Sequence, residues 1–317
     1  MKTDKLLLEV MNIQTESYKS QRMEKFIKKQ IKRMKLRYEL DDYGNIYVTK
    51  GKAELYPTMV SHIDTVHKIN NNVELVQIDN CLLAIDRTTM ERYGIGGDDK
   101  VGVYITLKLL QKFDNFKAVF FKDEEVGCVG SSKADFSFFN DSTIVLECDR
   151  RGIDDFVTSI SGTVLSNDDL HTDIDDILTK YKRKKVTGGI TDVGEIAEQN
   201  EVQVANMSCG YYDPHSDNEY IVIDEVNSTM QMCYEILRKT EYTRYTIPLD
   251  NRIKYSKGYG YGWEHIPYTG YDQEITEYEG YNVYSDKTIS EVGDYKSIRC
   301  QTPCTHCGTN NVWFDEF

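Results

Sequence analysis

The chain has 317 residues, 40% of them apolar, enough for one large hydrophobic core, and a formal net charge of −14. That acidity speaks against an extended nucleic-acid-binding surface, which needs clustered Lys and Arg; the one dense basic stretch, Lys25 to Arg37, has the spacing of a helix's solvent face. No apolar run approaches the ~20 residues of a membrane span, and the N-terminus carries Asp4 and Glu9 without a small-residue cleavage site, so neither membrane insertion nor secretion is expected.

From Lys5 to Met34 the apolar residues Leu6, Leu7, Val10 and Met11, then Phe26, Ile27, Ile31 and Met34, recur at helical spacing and predict two helices joined near residues 14–17. The turn Asp42-Tyr43-Gly44-Asn45 precedes a strand at 46–49, and a short strand at 58–61 ends at His62. Residues 72–86 read as a β-hairpin turning at Asp79-Asn80. A glycine-rich loop from Gly94 to Lys100 opens a helix from Val101 to Phe113. Apolar strands at 118–121 and 143–146 run into Lys122-Asp123-Glu124-Glu125 and Glu147-Cys148-Asp149. A charged helix at 173–183, a strand at 202–207 and an amphipathic helix carrying Val226, Met230, Cys233, Ile236 and Leu237 complete the series. Strands alternating with helices predict an α/β domain over residues 1–240, with a doubly wound, mostly parallel sheet and helices on both faces. Ligands of such sheets bind beyond the carboxyl ends of the strands.

After Thr240 the texture changes. Residues 241–299 hold eleven tyrosines and no helical period, and the last residues carry Cys300, Cys304 and Cys307. Residues 241–317 therefore read as a small Tyr-rich appendage, whose thiolate cluster could hold a structural zinc once a fourth ligand is supplied, His265 or His306 among the candidates. Cys81, Cys128, Cys148, Cys209 and Cys233 stand singly and read as free thiols of a reducing compartment, which points to the cytoplasm.

Seven residues with metal-site chemistry follow the predicted strands in order: His62 with Asp64, Asp98, Glu124 with Glu125, Asp149, and His215. Each alone has an ordinary reading, as a turn histidine, an N-cap aspartate or an exposed acidic turn. Together they form an inventory. Imidazoles and carboxylates ligate Zn²⁺ at ~2.0–2.2 Å. Two ions ~3.5–4 Å apart need one shared carboxylate and further ligands on each side. Two adjacent glutamates after a buried strand suit a ligand beside a general base. The glycines at 96 and 97 let backbone approach an ion closely.

The pieces Ser61-His62-Ile63-Asp64-Thr65-Val66, Gly96-Gly97-Asp98-Asp99-Lys100-Val101-Gly102, Asp123-Glu124-Glu125-Val126-Gly127, Glu147-Cys148-Asp149 and the late His215 resemble the co-catalytic zinc peptidases of the M20 and M28 type, most closely the tripeptidase T-like branch of M20. The resemblance covers roughly residues 1–240. It implies a zinc-peptidase (phosphorylase/hydrolase-like) fold and two divalent ions, zinc before cobalt or manganese. It further implies that Asp98 bridges both ions, that His62 and Asp149 complete one, and that Glu125 and His215 complete the other. Glu124 is then the general base acting on a metal-bridging water, and Asp64 supports His62. Gly188-Gly189-Ile190-Thr191-Asp192 is similar to the family's Gly-Gly-Thr-Asp segment and places Thr191 and Asp192 at the substrate.

One departure from the family matters. His215 follows Asp149 by 66 positions, too few for the lid or dimerisation domain that M20 enzymes insert there. The expectation is a lidless catalytic domain in which Tyr211 or Tyr212 could donate to the oxyanion; His171 falls in the interval but reads as part of a helix start. The expected activity is hydrolysis of a peptide or small amide by an aminopeptidase or small-peptide hydrolase. The alternatives are a deacylase of N-acyl amino acids or another small amide, and a binding protein that kept the fold without turnover.

Overall fold

The computed structural model describes residues 3–252. Two helices, α1 (Lys5–Met11) and α2 (Gln21–Arg33), lead into β1 (Glu39–Leu40), β2 (Ile46–Lys50) and β3 (Tyr56–His62). A hairpin of β4 (Val73–Ile78) and β5 (Cys81–Asp86), with the short β6 (Arg92–Tyr93), precedes α3 (Gly97–Lys112) and β7 (Phe116–Phe121). Then come β8 (Ser142–Arg150), β9 (Asp155–Ile160), β10 (Thr163–Val164), α4 (Asp168–Lys180), β11 (Lys184–Gly188) and α5 (Asp192–Gln199). The last elements are β12 (Val204–Ser208), β13 (Tyr211–Tyr212), β14 (Tyr220–Val222), α6 (Ile223–Lys239) and α7 (Leu249–Arg252).

Period-two alternation explains why the main sheet is buried on both sides. Met59, Ala118, Phe120, Ile144 and Leu146 enter one core, with α1, α2, α3, α4 and α6. Their neighbours Val60, Val119, Phe121 and Val145 enter the other, against α5 and the turn carrying Phe138 and Phe139. Each such side chain taken fully out of water contributes ~1.5–3 kcal/mol. The sheet order is β1-β2-β7-β3-β8-β12-β9-β10, with β11 also paired to β9. Strands β7, β3, β8 and β12 are mutually parallel; β2 and β9 add antiparallel on either side, and β11 pairs parallel to β9. The predicted doubly wound sheet with helices on both faces is thus the observed one. From β3 the chain goes to β7 on one side, then returns to β8 on the other. That reversal opens a crevice at the carboxyl end of β3.

The sheet extends beyond the sequence reading. β9 and β11, and the helix α5, lie in the stretch from 150 to 203. β11 has the sequence Lys-Lys-Val-Thr-Gly and is largely exposed, so no apolar run marks it. The interval between Asp149 and His215 does not form a separate lid. It widens the same sheet and returns as β12 beside β8, where Val204 pairs with Val145 and Asn206 with Glu147. A smaller sheet of the hairpin strands with β13 and β14 packs next to it. Residues 241–252, expected to begin the appendage, pack on this body: the buried Arg252 guanidinium donates to the Val164 and Leu165 carbonyls (2.9 and 3.2 Å) and to that of Val202. The tyrosine-rich remainder, Trp263 and the Cys300, Cys304, Cys307 cluster lie outside the described residues. No described helix is long and apolar enough to cross a membrane.

Candidate active site

The carboxyl ends of three parallel strands bring the predicted residues together. His62 is the last residue of β3, Glu124 and Glu125 follow β7, and Asp149 is the penultimate residue of β8. Asp98 comes from the irregular first turn of α3. The prediction of a helix opening there needs one refinement. Asp98 and Asp99 do not take helical backbone angles, although hydrogen bonding runs from Gly97 onward. The functional cap is Asp99: one oxygen accepts the Gly102 N–H (2.9 Å) and the other the His62 N–H (3.2 Å). Capping by Asp99 leaves the Asp98 carboxylate free to face the crevice. His215 comes from the loop after β13, at positive φ (59°).

Asp98 divides its two oxygens between the two histidines. Oδ1 lies 3.2 Å from His62 Nε2 and Oδ2 lies 3.3 Å from His215 Nε2. On the first side Asp149 Oδ1 is 3.7 Å from His62 Nε2; on the second Glu125 Oε2 is 3.0 Å from His215 Nε2. Ligands ~2.1 Å from a tetrahedral ion stand ~3.4 Å from one another, so these separations fit two donor sets sharing one carboxylate. His62, Asp98 and Glu125 by themselves converge closely enough to hold one ion. Glu125 Oε1 is buried with no hydrogen-bond partner, an orphan acceptor that a cation would satisfy. The donor set therefore fits divalent ions. Glu124 stands at the edge of both sets, 3.8 Å from His62 Nε2, with the Cys128 thiol 3.5 Å from its other oxygen.

The electrostatics of the cluster follow from crowding. Burial, reinforced by Asp149, Asp192 and Glu125 and opposed by His62, pushes Glu124 well above the usual carboxylate range. Burial and the Asp98 charge raise Glu125 to about 7. Asp98 is buried too, yet hydrogen bonds from His215 and His62 hold it well below its ordinary value. Burial works against protonated His215, but Asp98 and Glu125 push it up to about 12. Cations in this place would stand where those protons do.

Several side chains hold the ligands. Asp64 accepts the Glu124 N–H (3.0 Å) and the Glu125 N–H (3.4 Å), receives the Ser17 hydroxyl (2.7 Å), and lies 3.5 Å from His62 Nδ1. It thus braces a histidine and the double-glutamate turn at once. Asn206 clamps Asp149 from β12, accepting its N–H (2.9 Å) and donating to its carbonyl (2.7 Å). The Tyr211 hydroxyl donates to Asp149 Oδ1 (3.1 Å). Thr191 donates to Glu147 and lies 3.5 Å from Asp149 Oδ2. Asp192 is fully buried with neither oxygen hydrogen-bonded.

Some candidates fall elsewhere. Tyr212 stacks on Tyr220 and donates to Glu225 (2.6 Å), so it does not face the crevice. Tyr211 and Thr191 reach ligand-bearing residues rather than open space. His171 is buried in α4 against Ser166 (2.9 Å). Sequence reasoning passed over Asn206, Asp99 as a cap, and Glu219, which accepts the Gly96 and Asp98 N–H groups. Glu219 stands four residues after His215 in a polar loop, and nothing in that local pattern sets it apart from its acidic neighbours.

Similar architectures are known. The crystal structure of aminopeptidase PepT from Bacillus cereus superposes with a TM-score of 0.62 at 13% identity, covering 74% of this chain and 97% of that one. A tripeptidase from Staphylococcus aureus gives 0.59 at 13%, over the same shares. The Pyrococcus horikoshii TET1 peptidase, which can assemble into a tetrahedron or a large octahedral shell, gives 0.53 at 17%, covering 73% of this chain and 98% of that one. At these identities the likeness is one of fold. No curated protein matches the sequence. The family model that matches is that of the M42 glutamyl aminopeptidases, not of M20. It spans residues 88–232, a stretch that contains Asp98, Glu124, Glu125, Asp149 and His215. Over that stretch the chain is similar to the M42 metallo-aminopeptidases, and the match and the fold together support a peptidase with a metal-dependent site.

Proposed function

We propose that this chain is a two-metal aminopeptidase or small-peptide hydrolase, with zinc as the ion. The observation that carries this reading is the division of the Asp98 carboxylate between His62 and His215, each with its own second carboxylate and with Glu124 alongside. His62, Asp98 and Asp149 would hold one ion, and Asp98, Glu125 and His215 the other. Ions held there supply Lewis acidity to a carbonyl and make water a better nucleophile at neutral pH. Glu124 accepts the proton of the attacking water and returns it to the leaving amine, as a carboxylate of raised proton affinity does well. Asp64 keeps Glu124 and His62 in register through the two N–H groups it accepts and the imidazole it faces. Tyr211 and Asn206 hold Asp149 in place. Thr191, donating to Glu147 beside Asp149, and the buried Asp192 would back this donor set rather than meet substrate.

The test is to incubate zinc-loaded protein with dipeptides, tripeptides and N-acyl amino acids, each with a free and a blocked α-amine, and to read cleavage by mass. Cleavage of unblocked peptides alone is expected. Cleavage of the blocked and N-acyl substrates instead would replace the aminopeptidase with a deacylase. Glu124→Gln should retain both ions and lose ~10²–10⁴-fold in kcat. An unimpaired Glu124→Gln would rule out the catalytic reading.

A further inference from the structure

Glu219 is fully buried, yet it belongs to none of the donor sets. Its two oxygens are spent on the loop that carries Asp98. Oε1 accepts the Asp98 N–H at 3.0 Å, and Oε2 accepts the Gly96 N–H at 2.7 Å. Oε2 also receives His67 Nε2 at 2.7 Å. The glycines of this loop are explained by that wrapping. A Cβ on Gly97 would meet Tyr211 Cβ at 2.7 Å, Ile221 Cγ2 at 2.8 Å and Glu219 Oε1 at 3.3 Å, and one on Gly94 would run into the His67 ring at 1.8 Å. Beside the expectation that Gly96 and Gly97 let backbone approach an ion, Gly97 lets backbone approach a carboxylate and Tyr211, and Gly94 an imidazole.

Glu219 also closes the loop that carries His215. Arg92 fastens the far end of that loop by donating to the Asn218 carbonyl (2.6 Å). One side chain therefore joins the backbone of the shared carboxylate to the segment bearing the second histidine. The two donor sets do not depend on it equally. His62 and Asp149 have braces of their own in Asp64, Asn206 and Tyr211. His215 stands on a loop and is partly exposed, with Asp98 and Glu125 as its polar neighbours.

We propose that Glu219, oriented by His67, is a positioning residue that sets the distance between Asp98 and His215 and so governs occupancy of the Glu125–His215 side of the site. This rests on the two-metal reading. Groups that orient ligands in this way typically change metal affinity or activity by ~10–100-fold when removed.

The experiment titrates zinc into stripped full-length protein by calorimetry, counts bound zinc by elemental analysis, and measures kcat and KM against zinc concentration. Wild type should bind two ions. Glu219→Gln should keep the first affinity and weaken the second ~10–100-fold, with kcat low at limiting zinc, recovering as zinc is raised, and KM little changed. His67→Ala should weaken the same ion by less, and His67→Gln, whose amide can donate to the same oxygen, should recover part of that loss. Folded Glu219→Gln with two unchanged affinities overturns the proposal and leaves the two-metal reading standing. If Glu219→Gln does not melt cooperatively, the His67 pair decides, and an unchanged second affinity in His67→Ala overturns it. Wild type binding a single ion overturns both the proposal and the reading beneath it.

Discussion

Three groups of the site depend on Asp64: the His62 imidazole and the Glu124 and Glu125 amides. Asp64→Asn would replace one acceptor by an amide donor facing N–H groups. Metal affinity should fall ~10–100-fold, and zinc titration should show it for the His62 ion. His171 illustrates the opposite case, a histidine with no part in the site. Burial, aided by the Lys185 charge and opposed by Asp168, lowers its pKa below 6.5. The unfolded chain then takes up the proton first as pH falls, so stability present above 6.5 is lost as pH falls through the depressed folded value. Urea denaturation across that window should show the decline, and His171→Gln should flatten this component. Of the residues in the crevice, those at strand ends were legible because a carboxylate or imidazole directly after an apolar run has few other uses. Asn206 and Glu219 were not, because a neutral amide within a strand and an acid in a polar loop leave no chemical signature until their partners are known.

At the level of elements, α3 shows how a helix start can be divided between structure and chemistry. Asp99 ends the non-helical turn, caps the helix through Gly102 and ties it to β3 through the His62 N–H. Gly102 has no side chain because a Cβ there would meet the Asp99 carboxylate at 2.3 Å. Asp99→Ala removes a cap, worth ~0.5–2 kcal/mol, and leaves the buried His62 N–H without its acceptor. We expect a loss near the upper end of that range by urea denaturation, with weaker zinc binding because the Asp98 turn loosens with it. The strands β2, β3, β7 and β8, the β4–β5 hairpin and the helices α3 and α6 were readable from period and apolar content. β11 and α5 were not: β11 is an exposed, lysine-rich strand that pairs on one edge only, and α5 is eight residues long with a short apolar stripe.

For the whole molecule, the compact unit of residues 1–254 should fold alone. Arg252 sets the limit, since its guanidinium serves the Val164, Leu165 and Val202 carbonyls. A chain ending after 254 should melt cooperatively and bind two zinc ions, whereas one ending at 248 should melt earlier by calorimetry because buried carbonyls lose their donor. Stripping metal with a chelator should lower the melting temperature as well. Ions that bind only the folded chain add ~2.7 kcal/mol at a hundredfold excess over Kd, and their removal leaves the crowded carboxylates without a counter-charge.

The pairing of β8 with β12 has a consequence for how such a site varies. The chain leaves β8 just after Asp149, adds β9, β10 and β11 to the sheet, and returns in β12 beside β8, in register from Val204 against Val145. Departure and return are neighbours, so the loops between them can change length, whereas β9, which sets Val157 beside Asn206, cannot. Longer or shorter loops there would leave Asp149 and Asn206 in place. A single-residue insertion inside β3 or β8 is different in kind. It would exchange the two cores and turn His62 or Asp149 away from the crevice. Diversity in chains built this way should gather between the strands, and the strands themselves should keep their length to the residue.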